Sequence, residues 1–397
     1  MKRTPFSWST ITLLVLVVLG LQGCLGIGGP NSTSVGTGSS GQQVSVNKDV
    51  FKGKFYLTIN HNLYVVSGDT TSKELVNSGN VVDPAVSPNG KWVAFIQKYK
   101  QYSDLAVVST AGGKVRVLRS GSGRFYSSGT FLHNTYVWYA QPAWSADSST
   151  LLFLSDLEKE DWYTQTKQDA PLLDLQVFSI PFNNPTATPK DVAYASFGDG
   201  GNRDPSYRPA HPNQIIYTHY TYDSVTRTQQ QIQLFMENPT TINTHPGVYY
   251  PGSPGQGYDP GIAITTADAQ VLEPAFSPDG SAIAYVKRGN TSMSLDVMPV
   301  PPDNITLTPN GAATQQQAVQ AYKKESSRLL TALYIEQPVW SPDGTQIAYF
   351  TYTGNSFDLW IADVTHDAQA NKYSVKGSPI QVTSGGVDGD SHPVWTT

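Results

Sequence analysis

The sequence predicts an all-β protein built as a six-bladed propeller, in which four-stranded units repeat around a central channel. One observation behind this prediction is a proline-containing segment that recurs six times, with its prolines at positions 84, 142, 205, 274, 338 and 393. Spacings of 55 to 69 residues are long for a solenoid unit and suit a propeller blade with long loops. A second observation is that the last unit holds one strand, whereas three strands precede the first unit.

The clearest copy of the repeat covers residues 337–349 and predicts a β-hairpin. Val339 and Trp340 begin an extended apolar run, and residues 341–344, Ser-Pro-Asp-Gly, supply turn chemistry in the right order. Proline sets φ for the first central position of a type I turn, and serine and glycine suit the flanking positions. Residues 347–350 then resume a strand of β-branched, small and aromatic residues.

Further strands complete each unit. Third strands are predicted at 105–108, 175–178, 232–235, 295–298 and 359–364, and fourth strands at 115–118 and 380–383. Enlarged loops at 155–173, 220–231 and 238–260 either carry function or cover the blades, and one inserted helix is predicted near 312–331. Four strands per unit make one blade.

The two chain ends are expected to share the sixth blade. The last unit has only the strand around Val394 and Trp395, and three strands lack a partner near the beginning, at 54–59, 63–66 and 74–76. Pairing the last strand with these three closes a ring that has no open edge. The alternative is an open array of β-units, whose last repeat would be an unprotected end.

The repeats resemble the WD40-like (PD40) repeat of TolB-type β-propellers, whose signature is similar to Pro-x-Trp-Ser-Pro-Asp-Gly-x-x-Ile-Ala-Phe. Residues 276–285 and 340–349 match it closely, whereas residues 207–213 lack the Asp-Gly turn. The resemblance covers about residues 54–397 and implies the propeller fold.

The first 46 residues are predicted to be a signal peptide followed by a flexible tether. Residues 1–23 have the charge and the short apolar run of a signal peptide, and residues 21–24, Leu-Gln-Gly-Cys, resemble a bacterial lipobox. Cys24 would then be lipidated and become the N-terminus. Residues 24–46 are rich in Gly, Ser and Thr and predict a flexible tether with a reach of roughly 25 Å, which leaves 47–397 for the propeller. The alternative is an uncleaved signal anchor; both place the propeller outside the cytoplasm, held to the cell membrane or to an outer membrane.

Composition limits the partners. Charged residues make up 14% of the chain and the net charge is −5, with no basic stripe along the sequence, which argues against nucleic acid. Cys24 is the only cysteine, so no disulfide can form within the chain. We expect a monomer whose partner is a protein or peptide of the cell envelope.

Motifs of known catalytic chemistry are absent from the sequence, so no catalytic residue and no cofactor are predicted. There is no Gly-x-Ser-x-Gly elbow, Walker loop or His-Glu-x-x-His motif. His211 and His219 are either a zinc pair or surface histidines. Residues 388–390, Asp-Gly-Asp, are either part of a calcium loop or a turn.

A more specific candidate site comes from the repeat itself, because the residue before each motif proline is polar. We call these six residues the channel ring: Asp83, Gln141, Asp204, Glu273, Gln337 and His392. They should surround one mouth of the channel, where crowded carboxylates raise one another's pKa or recruit a cation. The hypothesis is a site for calcium or another metal ion, a cationic ligand or a basic peptide; the alternative is a channel that is polar because water fills it. The two functional interpretations are a binding scaffold for protein, peptide or glycan, and a metal-dependent hydrolase or lyase that uses the ring.

Overall fold

The computed structural model describes residues 32–38, 41–68, 72–128, 131–159, 174–195, 200–222, 230–240, 261–303, 305 and 312–397. The first strands are β1 (Ser32–Thr37), β2 (Gln43–Asn47), β3 (Lys54–Ile59), β4 (Asn62–Ser67), β5 (Ser72–Val76), β6 (Val81–Val86), β7 (Trp92–Lys98), β8 (Ser103–Ser109), β9 (Arg116–Ser120), β10 (Phe125–Ser128) and β11 (Phe131–Asn134). The middle strands are β12 (Tyr139–Trp144), β13 (Thr150–Ser155), β14 (Gln176–Pro181), β15 (Lys190–Ala193), β16 (Asn202–Arg208), β17 (His211–Tyr222), β18 (Gln230–Glu237) and β19 (Ile262–Ala263). The last elements are β20 (Val271–Phe276), β21 (Ala282–Arg288), β22 (Met293–Pro299), helix α1 (Ala312–Glu325), β23 (Ser327–Ala332), β24 (Ile335–Trp340), β25 (Gln346–Tyr352), β26 (Phe357–Asp367), β27 (Lys372–Gln381), β28 (Thr383–Ser384) and β29 (Val394–Thr396).

Six four-stranded antiparallel sheets surround a central channel, each with its first strand innermost. Their strand orders are β6-β7-β8-β9 (sheet I), β12-β13-β14-β15 (sheet II), β16-β17-β18-β19 (sheet III), β20-β21-β22-β23 (sheet IV), β24-β25-β26-β27 (sheet V) and β29-β3-β4-β5 (sheet VI). Apolar residues on facing sides of neighbouring sheets form the core. The prediction of an all-β propeller is therefore confirmed.

Sheet VI joins the last strand of the chain to three strands near its beginning, as predicted. Val394 pairs with Tyr56 and Trp395 with Phe55. The Trp395 ring packs against Phe55 with centroids 4.5 Å apart, and its indole Nε1 donates a hydrogen bond of 2.7 Å to the carbonyl oxygen of Lys52. Pairing and packing together close the ring.

A further sheet of three strands, ordered β1-β2-β28, corrects two predictions. This wall sheet lies between sheets V and VI, where Val44 and Val46 are buried in one apolar cluster with Phe55 and Phe350. The count of six blades was thus wrong in detail, because the wall sheet is a seventh sheet in the ring. Much of the predicted tether 24–46 is also folded, since Val44 and Val46 alternate with polar residues as a half-buried strand requires.

The predicted turns are confirmed where the Ser-Pro-Asp/Asn-Gly sequence is present. In the copy at 341–344 the amide of Gly344 donates to the carbonyl oxygen of Ser341 at 2.9 Å, and the Ser341 hydroxyl donates to Asp343 at 2.7 Å. In the divergent unit, β16 ends at Arg208 and β17 begins at His211. That unit connects its strands through two residues only.

The inserted helix is shorter than predicted. Helix α1 ends at Glu325, and the segment with Leu329 and Leu330 is strand β23, in which Leu330 pairs with Leu295 of β22. Pairing with β22 outweighs local helix propensity because sheet IV needs a fourth strand. The predicted hairpin extension near 220–231 is confirmed by the pairing of Tyr222 with Gln230.

Other expectations fall outside the described residues. These include the signal peptide, Cys24 and most of the enlarged loops at 155–173 and 238–260. No stretch of helix within the described ranges has the length and apolar content that a membrane span needs.

Antiparallel order gives the propeller two distinct faces. The turn face carries the Ser-Pro-Asp-Gly-like turns that follow the inner strands. The opposite face, which we call the loop face, carries the segments that lead into the inner strands and the turns between second and third strands.

Candidate functional site

The channel-ring residues occupy the same place in successive inner strands, and that place is strained. In sheets I to V the pairing between first and second strands shifts register there. The backbone φ is positive at five ring residues, at 54° for Asp83, 46° for Gln141 and 55° for Asp204, Glu273 and Gln337. A non-glycine residue in this region costs about 1–2 kcal/mol, so the surrounding structure must favour it five times over.

Hydrogen bonds between neighbouring sheets explain why the strain is tolerated. Each of four ring side chains accepts the backbone N–H of the next ring residue. The links are Gln141 N to Asp83 Oδ2 at 3.3 Å, Asp204 N to Gln141 Oε1 at 2.7 Å, Glu273 N to Asp204 Oδ2 at 3.2 Å, and Gln337 N to Glu273 Oε2 at 2.6 Å. Each of these positions requires a side-chain oxygen that accepts a hydrogen bond, and Asp, Glu and Gln all have one. The ring therefore fastens adjacent sheets at the channel.

His392 departs from this pattern and crosses the ring. Its Nδ1 lies 3.1 Å from Asp83 Oδ1, and its Nε2 lies 3.2 Å from Asp204 Oδ1. Because carboxylate oxygens only accept, both ring nitrogens carry a proton and the imidazole is a cation. The Asp83 and Asp204 side chains are 10% and 8% exposed, so one positive charge lies between two buried carboxyl groups.

Titration of this cluster follows from burial and pairing. Burial opposes a charge on His392, but its hydrogen bonds to Asp204 and Asp83 prevail and raise its pKa to about 10. Burial also opposes ionisation of Asp204, yet the hydrogen bond from His392 holds the pKa of that carboxyl below its ordinary value. For Glu273, burial and the nearby Asp204 charge raise the pKa to about 8, so its carboxyl is largely neutral at pH 7.

The six predicted residues lie together around the channel, and their role as a binding ring stays a prediction. Their carboxylates are arranged differently from what the cation hypothesis requires. Asp83 and Asp204 converge on His392 rather than on an open position. Among the residues that the structure describes, no group of three or more His, Cys, Asp or Glu side chains is placed to hold a metal ion. A cation at Asp83 and Asp204 would have to displace the imidazolium.

A funnel of about 300 Å³ opens from the ring on its turn side. Its floor contains Asp83, Gln141, Asp204 and His392. Its wall repeats around the axis: the six motif prolines are buried, and the six residues that follow them are partly exposed and mostly small, namely Ala85, Ala143, Ser206, Ala275, Val339 and Val394. A larger cleft of about 620 Å³ lies between residues 49–53 and 341–346 and contains no ring residue. The funnel is thus an apolar concave surface with a few polar groups at its base, as ligand sites commonly are.

His219 and Asp388 have structural roles. His219 is buried, its Nδ1 lies 2.6 Å from Asn202 Oδ1, and burial lowers its pKa to about 4. The interpretation of His219 as a surface histidine was therefore wrong. Asp388 accepts hydrogen bonds from the amides of Asn60 at 3.0 Å and His61 at 2.7 Å, which supports the turn interpretation of residues 388–390.

Sequence reasoning missed the cross-channel contacts of His392 and the positive φ angles. Histidine at one of six equivalent positions, among Asp, Glu and Gln at the others, is the signal that points to a different role. The recurrence of a polar residue before proline also marks a backbone with unusual demands, because proline restricts the residue before it.

Comparison with known proteins supports the fold. No protein-family model matches the chain, and no curated protein matches it either. Among solved structures, TolB from Acinetobacter baumannii is similar with a TM-score of 0.51 and 14% identity, covering 86% of this chain and 66% of that one. This chain therefore spans slightly less than two thirds of that protein's length.

Two further structures have lower scores. An oligogalacturonate lyase in complex with manganese has a TM-score of 0.44 at 13% identity, covering 84% of this chain and 81% of that one. The β-propeller domain of the Trilobed protease from Pyrococcus furiosus has 0.41 at 11%, covering 85% of each chain. The predicted resemblance to TolB-type propellers is confirmed as a likeness of fold.

Proposed function

We propose that this protein is a binding module whose funnel receives an extended peptide segment of a protein partner. The observation that carries the proposal is the funnel itself: six buried prolines and six mostly small residues form an apolar wall above a polar floor. Prolines and backbone hydrogen bonds make this wall rigid, so binding orders few of its side chains and loses little entropy. The floor offers carboxylate, amide and imidazolium groups that fix the orientation of one polar group of the peptide.

A peptide fits this surface better than the glycan that the sequence also allowed. Besides proline, alanine and valine, the funnel is lined by Trp144, Tyr207 and Phe276. This apolar surface buries the side chains of a peptide, whereas the few polar groups of the floor cannot satisfy the many hydroxyls of a glycan. An enzyme that used the ring would need a free carboxylate pair or a metal, and both aspartates already hold His392. Fold alone does not choose between these classes, so the proposal rests on the site.

The direct test fills the funnel. Ala143, partly exposed in the wall, is replaced by tryptophan, and Ala146, exposed on the neighbouring turn, receives the same substitution as a control. Peptides selected on the purified wild-type chain should bind Ala146→Trp as tightly as wild type and bind Ala143→Trp at least about tenfold more weakly. Equal binding by both variants would exclude the funnel as the peptide site. Binding of an oligosaccharide that Ala143→Trp abolishes would favour the glycan interpretation.

We also propose that the propeller is extracytoplasmic and anchored to a membrane through lipid on Cys24. The lipobox-like sequence at 21–24 supports this, and Cys24 is the only cysteine available. Mass spectrometry of the N-terminal peptide from membranes should show a diacylglyceryl group on Cys24. The Cys24→Ser chain should lack this mass and leave the membrane fraction; an unmodified Cys24 in membrane-bound protein would instead indicate an uncleaved signal anchor.

A further inference from the structure

The floor of the funnel carries an uncompensated negative charge. Of the described residues that line the funnel, two are acidic, Asp83 and Asp204, and none is Lys or Arg. The imidazolium of His392 lies between them, so two negative charges and one positive charge leave a net charge of −1. Apolar walls screen such a charge less than water does, and a cleft concentrates its field. The floor therefore attracts a cationic group.

The floor also has more hydrogen-bond acceptors than donors. Both N–H groups of the His392 imidazolium are directed at Asp83 and Asp204. Asp83 Oδ2 accepts one long hydrogen bond, 3.3 Å from the amide of Gln141, so it retains a lone pair for a further donor. In the same ring Gln337 is buried, and its Oε1 accepts no hydrogen bond from any residue that the structure describes. A group that matches this floor brings N–H donors and no acceptor.

The turns around the funnel mouth add to the negative charge. They connect first and second strands in sheets I to V, at 87–91, 145–149, 209–210, 277–281 and 341–345. Their charged residues, all exposed, are Lys91, Asp147, Asp279 and Asp343. Arg208, at the end of β16, is paired with Asp303 at 2.6 Å and adds no net charge. The turns thus carry three negative charges and one positive charge.

The charge of one of these aspartates acts on the funnel wall. Hydrogen bonds from the hydroxyls of Ser145 and Ser149 hold the pKa of Asp147 below its ordinary value, so its carboxylate is ionised at pH 7. Tyr207 lines the funnel, and burial together with the charge of Asp147 raises the pKa of Tyr207 to about 12. The negative potential of the mouth therefore extends into the funnel.

We propose that the peptide segment bound in the funnel presents a lysine or arginine side chain to the floor. The inference rests on the binding function proposed above for the funnel. The cationic group donates to the Asp83 carboxylate, and its aliphatic stem packs against the alanine and valine side chains of the wall. His392 stays between Asp83 and Asp204, so the ligand adds a second cation and does not displace the first. The partner is a protein with a basic residue in an extended segment.

The first experiment selects the ligand without assuming its charge. A library of short random peptides is enriched on the wild-type chain and depleted on Ala143→Trp, in which the funnel is filled. The remaining peptides should share a lysine or arginine at one position. Peptides without a basic residue would overturn this inference and still support the funnel as a peptide site. A library with no peptide left would overturn the funnel function, and this inference with it.

The second experiment measures the contribution of the charge. Norleucine in place of the shared lysine, or citrulline in place of an arginine, keeps the stem and removes the charge. The neutral peptide should bind the wild type about tenfold more weakly than the charged peptide. Raising the salt concentration should weaken binding of the charged peptide and hardly change that of the neutral one. Equal affinities of the two peptides, or a charged peptide indifferent to salt, would overturn the inference.

Variants of the protein identify the carboxylates that act. The measurement is the ratio of the two affinities, charged to neutral, because a general loss of structure weakens both peptides alike. Asp83→Asn should remove most of this ratio. Asp147→Asn should lower it by about twofold, and the fold should tolerate the change because Asn89 already fills the same turn position and accepts the Ser87 hydroxyl at 2.8 Å.

The matched control is Asp268→Asn, which removes the same charge from an exposed position on the loop face. Its ratio should equal that of the wild type. A ratio that Asp83→Asn leaves unchanged, or that Asp268→Asn lowers as much as Asp83→Asn does, would overturn the inference.

Discussion

Replacing Glu273 by glutamine should change the pH dependence of stability in a defined direction. The folded chain raises the pKa of Glu273 from 4.5 to about 8, through burial and the charge of Asp204. The folded state therefore holds this proton more tightly than the unfolded state, and the unfolding free energy of the wild type falls as pH rises from about 4.5 to about 8. Glutamine has no proton to lose, so this part of the decline should disappear.

The magnitude follows from the shift. Each pKa unit corresponds to about 1.4 kcal/mol of unfolding free energy. Because the titration of Glu273 is coupled to Asp204 and His392, the change in unfolding free energy is smaller than the full pKa shift would give, and we expect about 3 kcal/mol. Glu273→Gln should match the wild type near pH 5 and exceed it by that amount near pH 9. The substitution keeps the acceptor that Glu273 offers to the amide of Gln337 at 2.6 Å. Gln141 already fills the same role in sheet II, where its Oε1 accepts the amide of the next ring residue.

Urea unfolding followed by tryptophan fluorescence, at several pH values from 5 to 9, measures the difference. Glu74→Gln, an exposed carboxylate far from the channel, is the control and should track the wild type throughout. A difference between Glu273→Gln and wild type that stays constant with pH would refute the reasoning. A variant less stable than wild type at pH 9 would refute it as well.

Three further predictions concern the ring, its closure and its turns. His392→Gln should lower the unfolding free energy by about 3 kcal/mol at pH 7, because it leaves two buried carboxylates without their cation. The contribution of His392 to stability should be complete below about pH 6.5 and disappear as pH rises through about 10. Calorimetry with calcium should give heat in the variant only. Trp395→Ala should cost about 4 kcal/mol in urea unfolding, and Trp395→Phe, which keeps a ring against Phe55 but loses the indole hydrogen bond and part of the ring volume, about 2 kcal/mol; equal losses would contradict this. Gly280→Ala should cost more than Gly90→Ala by thermal unfolding, because both have φ of 69° but only at Gly280 would a Cβ lie 2.7 Å from the carbonyl oxygen of Pro209. For Gly90→Ala the cost of the left-handed backbone alone is about 1 kcal/mol, and a larger loss there would be unexpected.

Much of the fold was predictable because its signals are local. Ser341 to Gly344 specify a turn through their own side chains, and the apolar residues on either side specify strands. The shared sheet at the closure followed from counting strands, since Val394 and Trp395 had no local partner and residues 54–59 had an open edge. The wall sheet was not predictable in this way. Its strand β2 is short, lies in a Gly- and Ser-rich segment, and pairs with Thr383 and Ser384 far along the chain.

The same difference between local signals and long-range contacts applies to the candidate site. The six polar positions of the ring were visible because they recur before proline. Which side chains neutralise one another was not, because Asp83, Asp204 and His392 meet across the channel and come from three non-adjacent segments. The end of helix α1 at Glu325 has the same cause: pairing of Leu330 with Leu295 competes with local propensity and prevails.

The hydrogen bond from Trp395 to Lys52 has a consequence for how the chain acquires its shape. It links residues 343 apart in sequence, so the contact that seals the toroid has an exceptionally large loop-closure entropy and forms late. Until then, the channel-facing edge of Lys54–Ile59, which β29 covers in the closed ring, is unpaired and invites aggregation. A chain of this design therefore gains from a chaperone that shields that edge during biogenesis.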